Sequence, residues 1–466
     1  MTLVAGVDSS TQSVKVTIHD AETGALIREG SAPHPEGTSC PPQRWWDALL
    51  AASAGLMDDV AALAVAGQQH GMVALDDAQN PVRPALLWND TRSAAAARAL
   101  VAELGAHGSA QAVGSVPVAA FTVTKLRWLA ENEPEAARRV ACVVLPHDYL
   151  SLRLAGVLAT DSGDASGTGY WSPATGEYRT DLIRRAFGRD VQVPRVASPC
   201  EVIGHTADGI LLGPGTGDNM AAALGLGLAA GDVVVSLGTS GTAFAVSQTP
   251  AADASGAVAG FADAAGGFLP LVCTLNAARV LTTVAALLGV DTEGFAGLAL
   301  AAPPGAGGLV LLPYLDGERT PDLPDATGSL FGLTRANLTA PNLARAAVEG
   351  VLCGLADAVD ALRAVGVTPS RLWLIGGAAA NPAVARVAAT LFDIEVRVPA
   401  PAEYAARGAA WQAAWALGDG VRPRWEPPVF RHVPPAPDPR VRDAYAAARE
   451  RAEGVTIGDE RGDPPG

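Results

Sequence analysis

The sequence predicts an α/β protein built as two similar lobes, and three observations carry that expectation. Strand-like runs alternate with helix-like runs along most of the chain, the pattern of α/β lobes. A strand–turn–strand unit on small residues opens the chain near residue 8. A second unit of the same kind stands near residue 238.

The elements follow in order. Leu3–Val7 is an apolar strand that ends in Asp8-Ser9-Ser10-Thr11, and Val14–Ile18 is the returning strand. A turn over Asp20–Gly24 leads to a third strand, Ala25–Glu29, so the chain opens as a β-meander. Trp45–Leu56 and Thr91–Glu103 read as helices, and Leu63–Gly67 and Met72–Leu75 as buried strands. Phe121–Asn132 reads as a helix that Pro134 ends or restarts. In the second half, Val233–Leu237, the turn Gly238–Gly241 and the strand Thr242–Val246 repeat the opening pattern. Asn342–Val365 is a long helix, Leu372–Ile375 a strand, and Pro382–Phe392 a helix. The boundaries expected are 1–230 for the first lobe, 231–453 for the second, and a polar Gly/Pro tail over 454–466 that frays.

Composition narrows the function. The chain has 466 residues, enough for two or more domains that each bury a core. The net charge of -15 gives nucleic-acid phosphates and anionic membranes nothing to attract them, so neither is an expected partner. Lys15 and Lys125 are the lysines, and the remaining basic residues are Arg. Cys40, Cys142, Cys200, Cys273 and Cys353 are far apart and form no CxxC pair, which argues against a zinc site or disulfide framework. A reducing, cytoplasmic setting fits them. The start, MTLVAGVD, has no basic segment before an apolar run, so no signal peptide is expected. The apolar runs are shorter than the ~20 residues a membrane-spanning helix needs.

The chemistry lies in the turns. A tight Gly/Ser/Thr turn offers backbone N–H groups and hydroxyls with no bulk in the way, which suits phosphate oxygens. Each turn alone is also an ordinary hairpin; the pair is the stronger signal. Asp8 at the first turn would repel phosphate unless a cation sat between them, which implies Mg²⁺. Asp218, in the segment Gly213–Asn219, reads either as a helix N-cap or as a general base for a sugar hydroxyl. His70, in Gly67-Gln68-Gln69-His70-Gly71, is either a satisfied core histidine or a ligand contact at a strand end. Trp88-Asn89-Asp90 combines an aromatic face with polar tips, as sugar sites do. Gly376-Gly377 after a strand lets backbone approach a flat ring or a phosphate, or is a plain turn. A Walker A loop and the HRD and DFG triplets are missing from the sequence. Gly225–Ala230 matches G-x-G-x-x-A, but it begins inside a helix-like run and reads as helix packing.

Taken in order, these stretches resemble the FGGY carbohydrate kinases. The likeness runs from about residue 4 to about 415, through GVDSSTQSVK (6–15), AGQQHGMVALD (66–76), PALLWNDTR (84–92), FTVTKLRWL (121–129), LPHDYL (145–150), ATDSGDASGT (159–168), GTGDNMAAALG (215–225), SLGTSG (236–241), LPYLDGERTP (312–321), GLTRANLTAPNLARAAVEGV (332–351) and LIGGAAANP (374–382). The resemblance implies the actin, hexokinase and Hsp70-like ATPase fold (ribonuclease H-like), with a cleft between its lobes. It implies ATP and Mg²⁺ as cofactors and a small-molecule sugar as substrate. GQQHG, LWND and GERTP resemble the members that phosphorylate D-xylulose more than those acting on glycerol or ribulose. By position, Asp218 is then the catalytic base, and Asp8, also needed for activity, holds Mg²⁺ with Asp218. Gln69, His70, Trp88, Asn89, Asp90 and Asn219 line the sugar. Thr11, Gln12, Gly238, Thr239 and Ser240 hold ATP phosphates, and Gly376, Gly377 and Asn381 lie by the adenosine. Ser10 stands where the family often has Gly, which costs energy if that turn needs φ > 0. Ala378 follows Gly376-Gly377 where a third Gly is usual. Rival readings are another sugar or polyol kinase of the family, a nucleotide-dependent interaction protein on the same fold, and a sugar-binding regulator without activity. The oligomeric state is left open, with a homodimer as one candidate.

Overall fold

The computed structural model describes residues 1–459, with side chains to residue 452. The last helix, Pro439–Asp459, covers the start of the tail expected to fray over 454–466, and the rest of that tail lies outside the described residues. The chain forms two compact units. Unit 1 joins Met1–Ala230, Val246–Pro270 and Ala402–Pro428; unit 2 joins Gly231–Ala245, Leu271–Pro401 and Val429–Gly466.

The opening meander of unit 1 is β1 (Leu3–Ser9), β2 (Ser13–Asp20) and β3 (Leu26–Pro33). β4 (Val60–Gly67) runs parallel to β1, and β5 (Gly204–His205) and β6 (Leu211–Leu212) complete the order β5-β6-β4-β1-β2-β3. β7 (Thr216–Gly217) pairs in parallel with the end of β4. Unit 2 repeats the plan with β8 (Asp232–Leu237), β9 (Gly241–Ala245), β10 (Phe268–Thr274), β11 (Arg371–Ile375), β12 (Glu395–Pro399) and β13 (Phe430–Val433). Six strands of this seven-stranded sheet stand in the order β10-β9-β8-β11-β12-β13. Read from each meander outward, both sheets show two antiparallel pairings, two parallel ones and a final antiparallel one. The duplication suggested by two short turns is therefore a property of whole sheets. They differ at the far edge, where β5 precedes its neighbour in sequence and β13 follows it.

Strand alternation separates the two faces of the first sheet. On one face, Leu3, Ala5 and Val7 join Val14, Val16, Ile18, Leu63 and Val65. Trp45 and Leu49 of α1 (Gln43–Ser53) cover them, with Tyr149, Leu150 and Leu152 of a helix over Pro146–Ala155. The helix Thr122–Asn132, named α2, precedes that one, α3, and α4 (Ser162–Ser166) and α5 (Asp218–Leu226) follow. The other face is almost all small. Val4, Ala62, Ala64 and Ala66 meet Ala221 of α5 and Ala409, Ala410 and Ala413 of a helix over Tyr404–Leu417.

Unit 2 carries α6 (Ala278–Leu287), α7 (Thr292–Ala301), α8 (Ala340–Ala364) and α9 (Pro382–Leu391). Among the described residues no single helix is long and apolar enough to cross a membrane; α6 and α7 together pass by length and composition but meet at 89°. Both pack on α8, and they bury Val280, Leu281, Phe295 and Ala299 as core helices do.

The helix Tyr404–Leu417, here α10, joins unit 1 although it follows the unit 2 stretch Leu271–Pro401 in sequence. The reason is steric. A Cβ on Gly6 of β1 would strike the Ala406 carbonyl, one on Gly408 the Ala221 carbonyl, and one on Gly225 the Tyr404 carbonyl. Three glycines thus let β1, α5 and α10 touch backbone to backbone, and the segment read as helix packing at Gly225 is so used. Gly408→Ala should force α5 and α10 apart and destabilise the protein by about 1–3 kcal/mol. Gly108, in helix Ala106–Val113, has open space around it, so Gly108→Ala should be neutral or slightly stabilising. Urea unfolding of both variants checks the contrast; equal stabilities would mean the contact is slack.

Candidate active site

β1, β4 and β7 run parallel, and their registers align Ser9, Gly67 and Gly217 at one edge of the sheet. The chain leaves these carboxyl ends as Ser10-Thr11-Gln12, as Gln68-Gln69-His70 and as Asp218-Asn219. Carboxyl ends of parallel strands are where α/β sheets leave room for ligands. Alternation puts Asp8 on the face of Val4 and Gly6, the one that α5 and α10 cover.

Asp8 is 5% exposed, and its Oδ1 accepts from Ser10 Oγ at 2.6 Å. Burial raises its proton affinity to a pKa of about 6; the Ser10 bond and Lys15, its partner across β2, pull the other way, while Glu403 adds to the rise. Ser10 is not left-handed, so the cost expected from replacing Gly there does not arise.

Gly217 is the N-cap of α5 and Asp218 is its first residue, so the N-cap alternative for Asp218 is set aside. Asp218 Oδ1 accepts from the Asn219 backbone N–H at 2.8 Å and from Asn219 Nδ2 at 2.9 Å. Asn219 Nδ2 also donates to Gln69 Oε1 at 3.1 Å. Burial first, and then the charge of Asp8, push Asp218 up to about 7, against the bonds from Asn219. Two carboxylates are thus held close enough to compete for protons.

His70 adopts φ +66°, the left-handed region that costs a non-glycine residue of order 1 kcal/mol or more. Its surroundings enforce that geometry. The Gly167 carbonyl accepts from Nδ1 at 2.7 Å, which places a proton on that nitrogen. The His70 carbonyl accepts from Thr122 Oγ1 at 3.2 Å and Lys125 Nζ at 3.3 Å. Phe121 and Phe261 flank the ring, with centroids at 4.8 and 5.5 Å.

The Trp88 region divides. Trp88 Nε1–H donates to Thr11 Oγ1 at 2.8 Å, so a residue expected at the sugar is joined to one expected at the phosphates. Asn89 makes a long contact of 3.5 Å to the Gly37 carbonyl. The buried Oδ1 of Asp90 accepts from the Arg92 backbone N–H at 3.0 Å and from Arg92 Nε at 2.8 Å. Burial alone would raise its pKa, but these bonds hold it below the ordinary value. Arg92 thus takes one carboxylate oxygen of Asp90, and Oδ2 has no hydrogen bond among the described residues. Gln12 is exposed.

The second group lies in unit 2. Gly238, Thr239 and Ser240 link β8 to β9, and Gly376 and Gly377 follow β11, which is parallel to β8. Gly376 has φ +91°, and a Cβ there would strike the Leu237 backbone, so the two turns meet where only glycine fits. Asn381 is 7% exposed and caps α9 through Ala383 N–H at 2.9 Å. Sequence reasoning missed its role as a cap. It also missed Glu318, whose carboxylate takes Leu275 N–H at 2.6 Å and Asn276 Nδ2 at 3.0 Å. That grip holds the turn before α6, whose Ala278 N–H reaches the Gly238 carbonyl at 3.0 Å.

Other residues missed are Lys15, Gln68 and Lys125. The hairpin register could have found Lys15, since Asp8 and Lys15 sit symmetrically about the turn. Gln68 is 1% exposed and neither atom of its side-chain amide has a hydrogen bond among the described residues. Lys125 is fully buried at the start of α2, and only the fold shows that it reaches the His70 carbonyl.

Residues 3–232 match the N-terminal domain of the FGGY family of carbohydrate kinases, and residues 233–417 match its C-terminal domain. The chain belongs to the FGGY family of carbohydrate kinases. It is 49% identical over 432 residues to a xylulose kinase of Streptomyces coelicolor, covering 89% of this chain and 88% of that one. It is 48% identical over 445 residues to a xylulose kinase of Streptomyces rubiginosus, covering 91% of each. Among solved structures, the xylulose kinase of Bifidobacterium adolescentis superposes with a TM-score of 0.88 at 46% identity, over 96% of this chain and 99% of that one. The FGGY kinases share a two-domain ATPase fold, and this chain has it. As a carbohydrate kinase the protein uses ATP and acts on a small-molecule sugar.

The raised pKa of Asp218 has a consequence for stability. A carboxyl whose folded pKa lies above its unfolded value stabilises the fold while protonated and loses that contribution as pH rises through the folded value. In magnesium-free buffer, Asp218→Asn should match the parent near pH 5 and exceed it by about 1–2 kcal/mol near pH 8, after allowance for its partial exposure. Thermal melts at both pH values check this; a variant less stable at pH 8 would overturn the crowding of the two carboxylates.

Proposed function

We propose that the protein transfers the γ-phosphoryl group of ATP to D-xylulose and releases ADP and D-xylulose 5-phosphate. The observation that carries the reading is Asp218, a carboxylate with raised basicity that is joined through Asn219 to Gln69, in a chain nearly half identical to proteins named xylulose kinase.

A sugar hydroxyl is a weak nucleophile. As its oxygen bonds to the γ-phosphorus, its proton passes to the Asp218 carboxylate, and the bond from phosphorus to the bridging oxygen breaks with its electron pair leaving on ADP. A base near pKa 7 accepts a proton more strongly than an ordinary aspartate, and about half of it is ionised at neutral pH. Asn219 orients that carboxylate and Gln69 together. Gln69, His70, Trp88 and Asn89 hold the sugar, and the strained His70 backbone is preorganised for it. Thr11, Gln12, Gly238, Thr239 and Ser240 meet the phosphates with backbone N–H groups and hydroxyls. Gly376, Gly377 and Asn381 border the adenosine.

Mg²⁺ fits this residue set. Asp8 and Asp218 are two crowded carboxylates that a cation would relieve, and together they would hold it. Among the described residues no cluster of three His, Cys, Asp or Glu side chains is formed. A Mg²⁺ ion held by one or two carboxylates completes its shell with water and phosphate oxygens, and it neutralises phosphate charge in transfer. Five unpaired thiols support placing the reaction in a reducing cytoplasm.

ADP release with Mg-ATP against D-xylulose, D-ribulose, L-ribulose, L-xylulose, glycerol and D-gluconate tests the substrate. D-Xylulose should give the highest kcat/KM; preference for another acceptor would overturn the substrate and keep the chemistry. Asp218→Ala should lower kcat at least about a hundredfold while D-xylulose still binds by calorimetry. Near-normal turnover would remove Asp218 as the base. His70→Ala should raise KM for sugar about tenfold or more and leave KM for ATP within about twofold; equal changes would make His70 a purely structural residue.

A further inference from the structure

Two stretches of the sequence, LPHDYL over 145–150 and ATDSGDASGT over 159–168, have no part in the reaction as drawn. They meet beneath the site. Asp161 caps α4: its Oδ1 accepts from Asp164 N–H at 2.9 Å, and its Oδ2 from Gly163 N–H at 2.9 Å. The same Oδ2 accepts from Thr216 Oγ1 at 2.6 Å. Thr216 lies on β7, two residues before Asp218. At the other end of the segment, the Gly167 carbonyl takes the His70 Nδ1–H at 2.7 Å. Between these ends, Asp164 Oδ2 is 2.6 Å from His147 Nδ1 of α3. Asp161, Asp164, His147 and Thr216 are all at most 2% exposed. There is no slack in the contact: a Cβ on Gly163 would strike Asp161 Oδ2, Thr216 Oγ1 and Met220 of α5.

We propose that residues 161–167 form a brace that positions the base against the sugar, acting on Asp218 through Asp161 and Thr216 and on His70 through the Gly167 carbonyl. His147 and Asp164 clamp the brace from below. Asp161 and Thr216 are positioning residues and touch no substrate. One short segment thereby sets the distance between the group that takes the proton and the group that holds the acceptor. A displacement of about 1 Å between such groups costs on the order of a hundredfold in rate.

The inference rests on the kinase reading, and its test separates the two. Wild-type protein that shows no sugar-dependent ADP release overturns both. With active wild type, Thr216→Val removes the hydroxyl at nearly constant shape. It should lower kcat roughly tenfold to a hundredfold, while KM for D-xylulose and for ATP stays within about threefold. Thr216→Ser restores the hydroxyl and should recover kcat to within about threefold of wild type. Asp161→Asn places an amide NH₂ where the cap needs an acceptor, so it should lower kcat in the same way. The double variant should be no worse than about twofold below the poorer single one, because the two residues act through one bond. Wild-type kcat in Thr216→Val, parallel loss of kcat and both affinities, or effects that multiply in the double variant would each overturn the brace. If Thr216→Val does not fold, Asp161→Asn is judged by the same split between kcat and KM.

Discussion

The contact of β1, α5 and α10 through Gly6, Gly225 and Gly408 is the constraint on which unit 1 depends. Backbones approach so closely there that no side chain fits between them. The alanine face of the sheet extends the same packing along β4. Because α5 is held against β1, its first turn reaches the end of that strand, where Asp8 stands. Two acidic groups far apart in sequence become neighbours through the packing of residues that have almost no side chains.

That neighbourhood is electrostatically expensive. Burial raises the proton affinity of both Asp8 and Asp218, and the charge of Glu403 adds to the rise at Asp8 and that of Asp8 to the rise at Asp218. In the proposed reaction this cost would be relieved by the alcohol proton and the divalent cation that the two carboxylates would meet. The acidic residues below the site are handled differently. Asp161 and Asp164 are buried more deeply, yet both oxygens of Asp161 accept from backbone N–H groups, one of them also from Thr216, and Asp164 Oδ2 meets His147. His147 keeps its proton to a pKa of about 9: burial opposes the charge, and the surrounding carboxylates outweigh it. The upper pair is thus left to meet ligands, while the lower group serves as framework.

The two sheets share a pairing plan, yet they use their turns differently. In unit 1 the end of β1 carries the carboxylate Asp8, and the turn after it carries a serine bonded to that carboxylate. In unit 2 the turn after β8 carries no charge and faces the glycine turn after β11. One plan thereby supplies a charged end suited to a cation and an acceptor, and a neutral end suited to backbone contact with a nucleotide.

Much of the fold was legible in the sequence. The three strands of the opening meander, the first two of the second, the helices at 122–132, 340–364 and 382–391, and the hint of duplication follow from apolar periodicity and turn chemistry, which are local properties. The family was legible because its motifs keep short residue strings in a set order. What each polar side chain does was not. Trp88 and Thr11 are 77 residues apart and share a hydrogen bond. Asp90, which read as a sugar contact, gives one carboxylate oxygen to Arg92. Ser10, which read as a strained substitution, lies outside the left-handed region. The sequence by itself determined which residues can act as acid, base or phosphate donor, because that is a matter of chemical type. Only the tertiary structure decided which of them are held ready and which are already satisfied, because hydrogen-bond partners and burial depend on long-range packing.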